Sequence, residues 1–144
     1  AAKLLYETLT RARLASRAKY ADPFTRRLDQ LGAIVFGDSV RFDVDDDLNV
    51  VSRTVDGVTV PRDDLSGGAK EQLGLLSRLA CASLVDRADG VPVIIDDALG
   101  YSDPDRIAAM ASVLTEAGRD AQVIVLTCSP QRYADVRDAH VVTV

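Results

Sequence analysis

The residues best suited to chemistry lie at 65–72, where LSGGAKEQ immediately precedes a helical pattern. Ser66, Gly67 and Gly68 would open that helix and leave its first backbone N–H groups free. Such groups carry partial positive charge, and glycine lets a phosphate approach the backbone closely. The segment therefore predicts an anion site. Taken alone, the segment is better explained as an ordinary helix cap, with Ser66 capping and Glu or Gln following.

A pair of carboxylates follows the apolar run of residues 91–95 (VPVII). Asp96 and Asp97 would stand at the carboxyl end of a buried strand, the edge at which open parallel sheets bind ligands. One carboxylate suits Mg²⁺, directly or through a water, and the other could orient an attacking water. A strand that merely ends in an acidic turn explains the pair as well.

Two weaker segments complete the set. Residues 99–103 (LGYSD) lead into a helical pattern, with Asp103 directly before Pro104. Residues 123–130 (VIVLTCSP) form an apolar run that ends at polar residues. Neither segment predicts a function by itself.

The residues before these segments, up to about residue 60, predict two helices and an antiparallel sheet that would position them. Residues 3–20 lack Gly and Pro and predict a helix. Asp22 and Pro23 predict a new helix start, followed by apolar residues at helical spacing until Gly37. Alternation in residues 40–44, then in 48–55 and 58–60, predicts three antiparallel strands with a turn at Asp56 and Gly57. The acidic residues 45–47 predict a hairpin tip in preference to a metal site.

The remaining residues alternate between strand and helix patterns. A helix is predicted from 67 to about 87, then a strand at 91–95 buried on both faces. Another helix would follow Asp103 and end at Gly118, before a second buried strand at 123–126. A short helix at 130–135 and a last strand at 141–144 complete the pattern. The fold class is therefore α/β, a parallel-sheet layer preceded by an antiparallel meander.

Length and composition favour one soluble globular domain. The chain has 144 residues, of which 47% are apolar, and no apolar run approaches membrane-spanning length. The net charge of −5 argues against an independent nucleic-acid-binding module. Residues 1–30 carry an excess of cations, best explained as a solvated helix face and less well as a DNA contact. Cys81 and Cys128 lack metal-ligand spacing, which favours a reduced, cytoplasmic protein. The start without Met suggests a fragment.

Together, the order and spacing of the four segments resemble the C-terminal half of an ABC-type ATPase head. The similarity covers residues 65–144, and the first part of the chain more loosely. The helix after the glycines and LTCxPxRY at 126–133 resemble the SMC-like group of these P-loop NTPases, which includes SbcC, RecF and YhaN-like ATPases. The fold it implies is a C-terminal lobe, residues 38–144, preceded by residues 1–37 as a helical base of a descending coiled coil.

The resemblance implies roles for particular residues. LSGG is the signature motif of that family, so Ser66, Gly67 and Gly68 would contact the γ-phosphate of an ATP held by the opposite head. The residues expected to border the same nucleotide are Lys70 and Gln72.

The family's Walker B acid corresponds to Asp96, which would support Mg²⁺. Asp97 takes the catalytic position, usually Glu, and would orient water. Ser129 stands where the family has a switch histidine, and Asp103 falls in the D-loop that crosses the head interface.

The sequence also departs from the family. No GxxxxGK[ST] phosphate-binding loop occurs in these residues, and the Q-loop glutamine is missing as well. The resemblance therefore implies an N-terminal P-loop lobe of the same protein as partner, a second head in an ATP-dependent homodimer, and inactivity of this chain alone. An apolar face should be left without its partner sheet. DNA as a partner, and a role in DNA repair or chromosome maintenance, rest on the resemblance alone.

Two other functions remain open. Asp97 and Ser129 are compatible with a hydrolysis-poor, nucleotide-gated dimerisation module. A receiver-like domain with an acidic pocket is disfavoured, because no lysine follows Lys70.

Overall fold

One long helix forms the first quarter of the chain. The computed structural model describes residues 2–85 and 90–143, and its first helix, α1, runs over Ala2–Phe36. The predicted break at Asp22 and Pro23 is wrong, because Pro23 lies inside this helix. Proline removes one hydrogen bond to the preceding turn. The burial of Phe24 and Leu28 directly after it offsets that loss.

The two halves of α1 have different surroundings. Residues 3–15 are exposed, whereas apolar side chains from residue 21 onward pack into the core at intervals of three or four. The helix ends at Phe36. The next residue, Gly37, has a φ of 90° that is accessible to glycine, and its N–H donates to Ala33 O at 3.0 Å. Within residues 2–85 and 90–143, neither α1 nor any other helix is long and apolar enough to cross a membrane.

The predicted antiparallel meander is confirmed. Strands β1 (Arg41–Val44), β2 (Val50–Val55) and β3 (Val58–Pro61) pair in that order. Asp56 and Gly57 join the last two strands with φ values of 49° and 79°. Positive φ at both residues is the geometry of a two-residue hairpin turn that favours Asp-Gly, as the sequence predicted.

The acidic hairpin tip is held by Asp45. Its Oδ1 accepts the backbone N–H groups of Asp47 at 2.9 Å and Asn49 at 2.8 Å. This confirms the predicted turn. In the part of the chain that the structure describes, no group of three or more His, Cys, Asp or Glu residues is arranged to hold a metal ion.

The remainder of the chain forms the α/β layer. Helix α2 spans Gly67–Ala82 and is followed by β4 (Val93–Asp96), α3 (Pro104–Ala117) and β5 (Val123–Leu126). Strands β4 and β5 are parallel and in register from Val93 with Val123 to Asp96 with Leu126. The structure therefore confirms a mixed α/β fold with a parallel and an antiparallel sheet. The second half of α1 packs against α2 and α3 in one shared core.

Two local predictions are wrong. Helix α2 ends at Ala82 and not near residue 87, and residues 86–89 lie outside the described part. Val141 and Val142 are exposed and belong to no strand, because β-branched residues form a strand only where a partner strand is present; Val144 lies outside the described residues. The short helix predicted at 130–135 is confirmed as a 3-10 helix that ends earlier, over Pro130–Tyr133.

The parallel sheet is buried on one face only. Ile95 is almost fully buried against the core, whereas Ile94 is 56% and Leu126 53% exposed on the opposite face. Burial on both faces, as predicted for both strands, is therefore wrong, because the shared core covers only one side of this sheet. Asp96 alternates to the same uncovered side as Ile94.

Candidate nucleotide site

The start of α2 is built as the sequence predicted. Ser66 is extended, and its Oγ accepts the N–H of Ala69 at 3.3 Å while its carbonyl accepts the N–H of Lys70 at 2.9 Å. The first two N–H groups of the helix, those of Gly67 and Gly68, have no partner within the helix by geometry. Ser66 therefore caps α2, as predicted, and the helix start remains able to bind an anion.

The two glycines face different surroundings. A Cβ on Gly68 would lie 2.7 Å from the carbonyl oxygen of Tyr101. A Cβ on Gly67 would meet nothing within 4 Å. Gly68 is therefore required by the packing of a neighbouring loop, whereas Gly67 leaves open space beside the helix start where a ligand could approach.

The loop of residues 97–103 is fastened to α2 by two side chains. Glu71 Oε1 accepts the N–H of Leu99 at 2.9 Å, and Gln72 Nε2 donates to Ser102 Oγ at 2.9 Å. Gln72 is almost fully buried. Its predicted contact with a nucleotide stays a prediction, and the structure gives its side chain a packing role. Sequence reasoning missed Glu71 as an anchor, because a glutamate near the start of a helix is commonplace.

Lys70 and Asp103 also make local contacts. Lys70 Nζ donates to the carbonyl of Asp63, in the 3-10 helix Arg62–Asp64 before α2, at 2.7 Å. Asp103 Oδ1 accepts the N–H of Arg106 at 2.9 Å and so caps α3, as predicted. The nucleotide contacts proposed for both side chains stay predictions.

The two carboxylates at the end of β4 differ in their contacts. Asp96 is exposed, and no donor among the described residues contacts its carboxylate. Asp97 has a φ of 40°, and its N–H donates to the carbonyl of Leu126 at 2.8 Å. This uncommon backbone conformation turns the chain at the edge of the sheet, beside the end of β5.

The residues after β5 surround the Asp97 carboxylate. Oδ1 accepts the hydroxyl of Thr127 at 3.0 Å and lies 3.5 Å from an Nη1 nitrogen of Arg132. The Sγ of Cys128 is 3.7–3.8 Å from the two carboxylate oxygens. The backbone N–H of Ser129 donates to Thr127 Oγ1 at 2.9 Å. The structure thus brings Asp97 and Ser129 together through Thr127.

Sequence reasoning missed Thr127 and Arg132. The available signal was the polar run after β5, because parallel strand ends meet at one edge of a sheet. Ser66 shares no hydrogen bond or ion pair with Asp97 within residues 2–85 and 90–143. The signature segment and the carboxylates are linked instead through the loop that starts at Asp97 and packs on α2.

Tyr133 completes the group. Its hydroxyl donates to the carbonyl of Ala98 at 2.7 Å. Burial raises the pKa of this phenol above its ordinary value, with the negative charges of Asp97 and Glu71 adding to the effect and Arg132 opposing it. The hydroxyl therefore stays protonated near neutral pH and keeps its hydrogen bond.

Comparison with solved structures establishes the fold. The SMC head domain from Thermotoga maritima superimposes with a TM-score of 0.64 and 18% identity, over 85% of this chain and 44% of that one. A second structure, described under ATP-driven dimerization and DNA stimulated activation of SMC ATPases, superimposes with a TM-score of 0.66 and 14% identity, over 87% of this chain and 78% of that one. The chain has the fold of an SMC head domain.

Sequence relatives are longer proteins. Uncharacterised proteins of Mycobacterium tuberculosis and Mycobacterium bovis are 54% identical over 140 residues, which is 97% of this chain. The chain spans 16% of the length of these curated relatives. No family model matches the sequence.

Proposed function

We propose that the chain is the C-terminal lobe of an SMC-like ATPase head, which supplies a signature motif to the opposite head and Walker B acids to its own. The observation that carries this is the pairing of two features within an SMC-head fold. Residues 65–68 open α2 with free N–H groups, and Asp96 and Asp97 end a parallel strand. The lack of a GxxxxGK[ST] loop in the sequence supports a partial head.

The residues present fit a nucleotide and Mg²⁺. The open space beside Gly67 would admit a phosphate to the N–H groups of α2, with Ser66 Oγ at its edge. Asp96 offers an exposed carboxylate that accepts no hydrogen bond from the described residues, which suits a hard cation. Bound Mg²⁺ would neutralise phosphate charge. Further ligands would come from the phosphates and the missing P-loop lobe.

Asp97 is proposed to orient the attacking water. Its side chain is 48% exposed, and its carboxylate is already oriented by Thr127 and Arg132. In phosphoryl transfer most of the catalytic effect comes from positioning and charge stabilisation. The neighbouring Ser129 can donate a hydrogen bond to phosphate but carries no charge.

Two proposed contacts follow from the surfaces of the chain. The uncovered apolar face of the parallel sheet, formed by Ile94, Ile124 and Leu126, is where we propose that the P-loop lobe packs. The exposed first half of α1 would continue into a coiled coil. A second head, in an ATP-dependent homodimer, and DNA are also proposed partners. Both are proposed on the similarity to SMC heads alone. One structural neighbour carries DNA stimulated activation in its description, and that statement concerns the neighbour.

A second candidate is a nucleotide-gated module with slow hydrolysis. It is favoured by the short Asp97 side chain, which is one methylene shorter than the usual Glu and whose Oδ1 lies 3.5 Å from Arg132 Nη1. In that case Asp97→Glu or Ser129→His raises turnover of the complete head. Unchanged turnover in both variants would count against this candidate.

The test of the leading proposal is ATP turnover by this chain alone and by this chain joined to its parent's P-loop lobe. We expect turnover only in the joined form, and loss of it in Asp97→Asn. Tight ATP binding by the chain alone would overturn the assignment of a missing phosphate-binding lobe. ATP-driven dimerisation without turnover in the joined form would favour the second candidate.

A further inference from the structure

The segment after β5 wraps around the start of the loop that follows β4. Arg132 Nη1 lies 3.3 Å from the carbonyl oxygen of Ala98 and 3.5 Å from Asp97 Oδ1. Tyr133 donates to the same carbonyl at 2.7 Å. Two consecutive side chains of the 3-10 helix thus hold the carbonyl of Ala98, the residue that follows Asp97.

Such fastening is needed because the backbone of Asp97 is strained. A φ of 40° is uncommon for a residue with a Cβ, and it persists only where the surroundings hold it. The N–H of Asp97 is held by Leu126 O at 2.8 Å, and the next carbonyl is held by Arg132 and Tyr133. Contacts on both sides of Asp97 therefore hold its backbone in this conformation.

The contacts to the carboxylate itself are asymmetric. Oδ1 accepts the Thr127 hydroxyl and faces the guanidinium of Arg132. Within the described residues, Oδ2 has only the thiol of Cys128 at 3.7 Å, a weak donor. When one oxygen of a carboxylate is fixed, the direction of the other is fixed as well. Oδ2 is thus the oxygen left to accept a hydrogen bond from a water.

We infer that Thr127 and Arg132 are positioning residues that aim Oδ2 of Asp97. The inference rests on the proposed role of Asp97 and adds the groups that enforce its geometry. Thr127 has a second task, because its oxygen accepts the N–H of Ser129 at 2.9 Å while its hydrogen is given to Asp97. One hydroxyl therefore ties the carboxylate to the start of the 3-10 helix that carries Arg132.

The test uses the joined head with matched variants. Thr127→Val removes the hydroxyl at nearly constant shape, and Thr127→Ser keeps it. Arg132→Gln removes the charge, and Arg132→Lys keeps it without the planar fork. Arg119→Gln is the control, since Arg119 is an exposed residue that pairs with Glu116 on α3. The readouts are kcat, KM for ATP, ATP-driven dimerisation and amide exchange of residues 97–99.

A misplaced catalytic group costs up to about 100-fold in rate, so Thr127→Val and Arg132→Gln should lower kcat by roughly 10- to 100-fold. KM and dimerisation should stay within about threefold, because a positioning residue acts on the transition state. Thr127→Ser should retain most of the rate, Arg132→Lys part of it, and Arg119→Gln all of it. Amide exchange at residues 97–99 should be faster in the two disabling variants.

Two results would overturn the inference: an unchanged kcat in both disabling variants, or a raised KM with unchanged kcat. Failure of the proposed function looks different, because the unsubstituted joined head would then show no turnover at all. In that case amide exchange still decides whether Thr127 and Arg132 hold Asp97. Unaltered exchange would refute the inference.

Discussion

At the scale of single residues, neighbouring positions in one motif carry different constraints. Gly67 and Gly68 are identical in type and adjacent in sequence, yet only Gly68 lies against another backbone, that of Tyr101. The sequence predicted both as phosphate-approach residues. Packing against Tyr101 was invisible to that reasoning, because the partner carbonyl lies more than thirty positions along the chain.

Gly68→Ala should destabilise the protein by about 1–3 kcal/mol, since the added methyl must displace a backbone carbonyl. Gly67→Ala is the matched control, with open space for its methyl, and it should leave the free energy of unfolding nearly unchanged. Thermal and denaturant unfolding of both variants measure this. The same Gly67→Ala variant should weaken ATP-driven dimerisation of the joined head. Equal stability losses in the two variants would contradict the account.

Asp29 provides a pH-dependent test. Burial is the main cause that raises its pKa above the ordinary 3.8, and the Phe42 N–H and Arg41 oppose the rise. The folded state therefore binds more protons than the unfolded state between 3.8 and the raised pKa, so this residue's contribution to stability falls as pH rises through that window. As pH rises through this window, the free energy of unfolding of Asp29→Asn should increase relative to that of the wild type. Above the window the difference should stay constant. Denaturant unfolding at a series of pH values measures it. A difference that moves the opposite way would be inconsistent with burial as the main cause.

At the scale of elements, α1 is where sequence reasoning and structure differ most. Asp and Pro together at 22–23 are a strong helix-start signal, and the local rule was applied correctly. The helix continues because Phe24 and the apolar residues after it are buried in the core. Tertiary packing therefore outweighs the missing hydrogen bond, which local sequence could not reveal. The meander turn was predictable, because Asp56 and Gly57 suit one turn geometry without tertiary help.

Pro23→Ala should raise the free energy of unfolding by about 1–3 kcal/mol. The substitution restores an N–H that can bond to the preceding turn and removes the ring clash. Denaturant unfolding, with helix content from circular dichroism, measures the change. A loss of stability or helix content in this variant would contradict a continuous α1.

At the scale of the whole molecule, the described chain leaves one face of its parallel sheet uncovered. Continuous apolar runs predicted strands buried on both sides, and the structure buries only one. Strand patterns alone cannot distinguish a face that is covered within the chain from a face that a partner covers, because both need apolar residues. The separate expectation of an open apolar face came from the lack of a phosphate-binding loop. The carboxylate pair and the capped glycine helix were predictable from local chemistry, whereas Thr127 and Arg132 required the parallel pairing of β4 and β5.

Ile94→Lys should reduce self-association of the isolated chain, because a charge interrupts the exposed apolar face. The same substitution should weaken binding to the P-loop lobe if that lobe covers this face. Val58→Lys, at an exposed position of β3, is the control and should change neither property. Sedimentation of the chain alone and a pull-down of the P-loop lobe provide the readouts. If Ile94→Lys and Val58→Lys changed self-association and binding to the P-loop lobe equally, a specific role of the sheet face would be contradicted.

The measurement that tests the central claim most directly is complementation between two inactive joined heads. Ser66→Arg disables the signature motif, and Asp97→Asn disables the catalytic position. Each variant alone should be inactive. Mixing them should restore about a quarter of wild-type turnover, since half of the random dimers contain one site with both groups intact. No recovery on mixing, with dimers still forming, would contradict the claim that Ser66 and Asp97 act on one ATP from opposite heads.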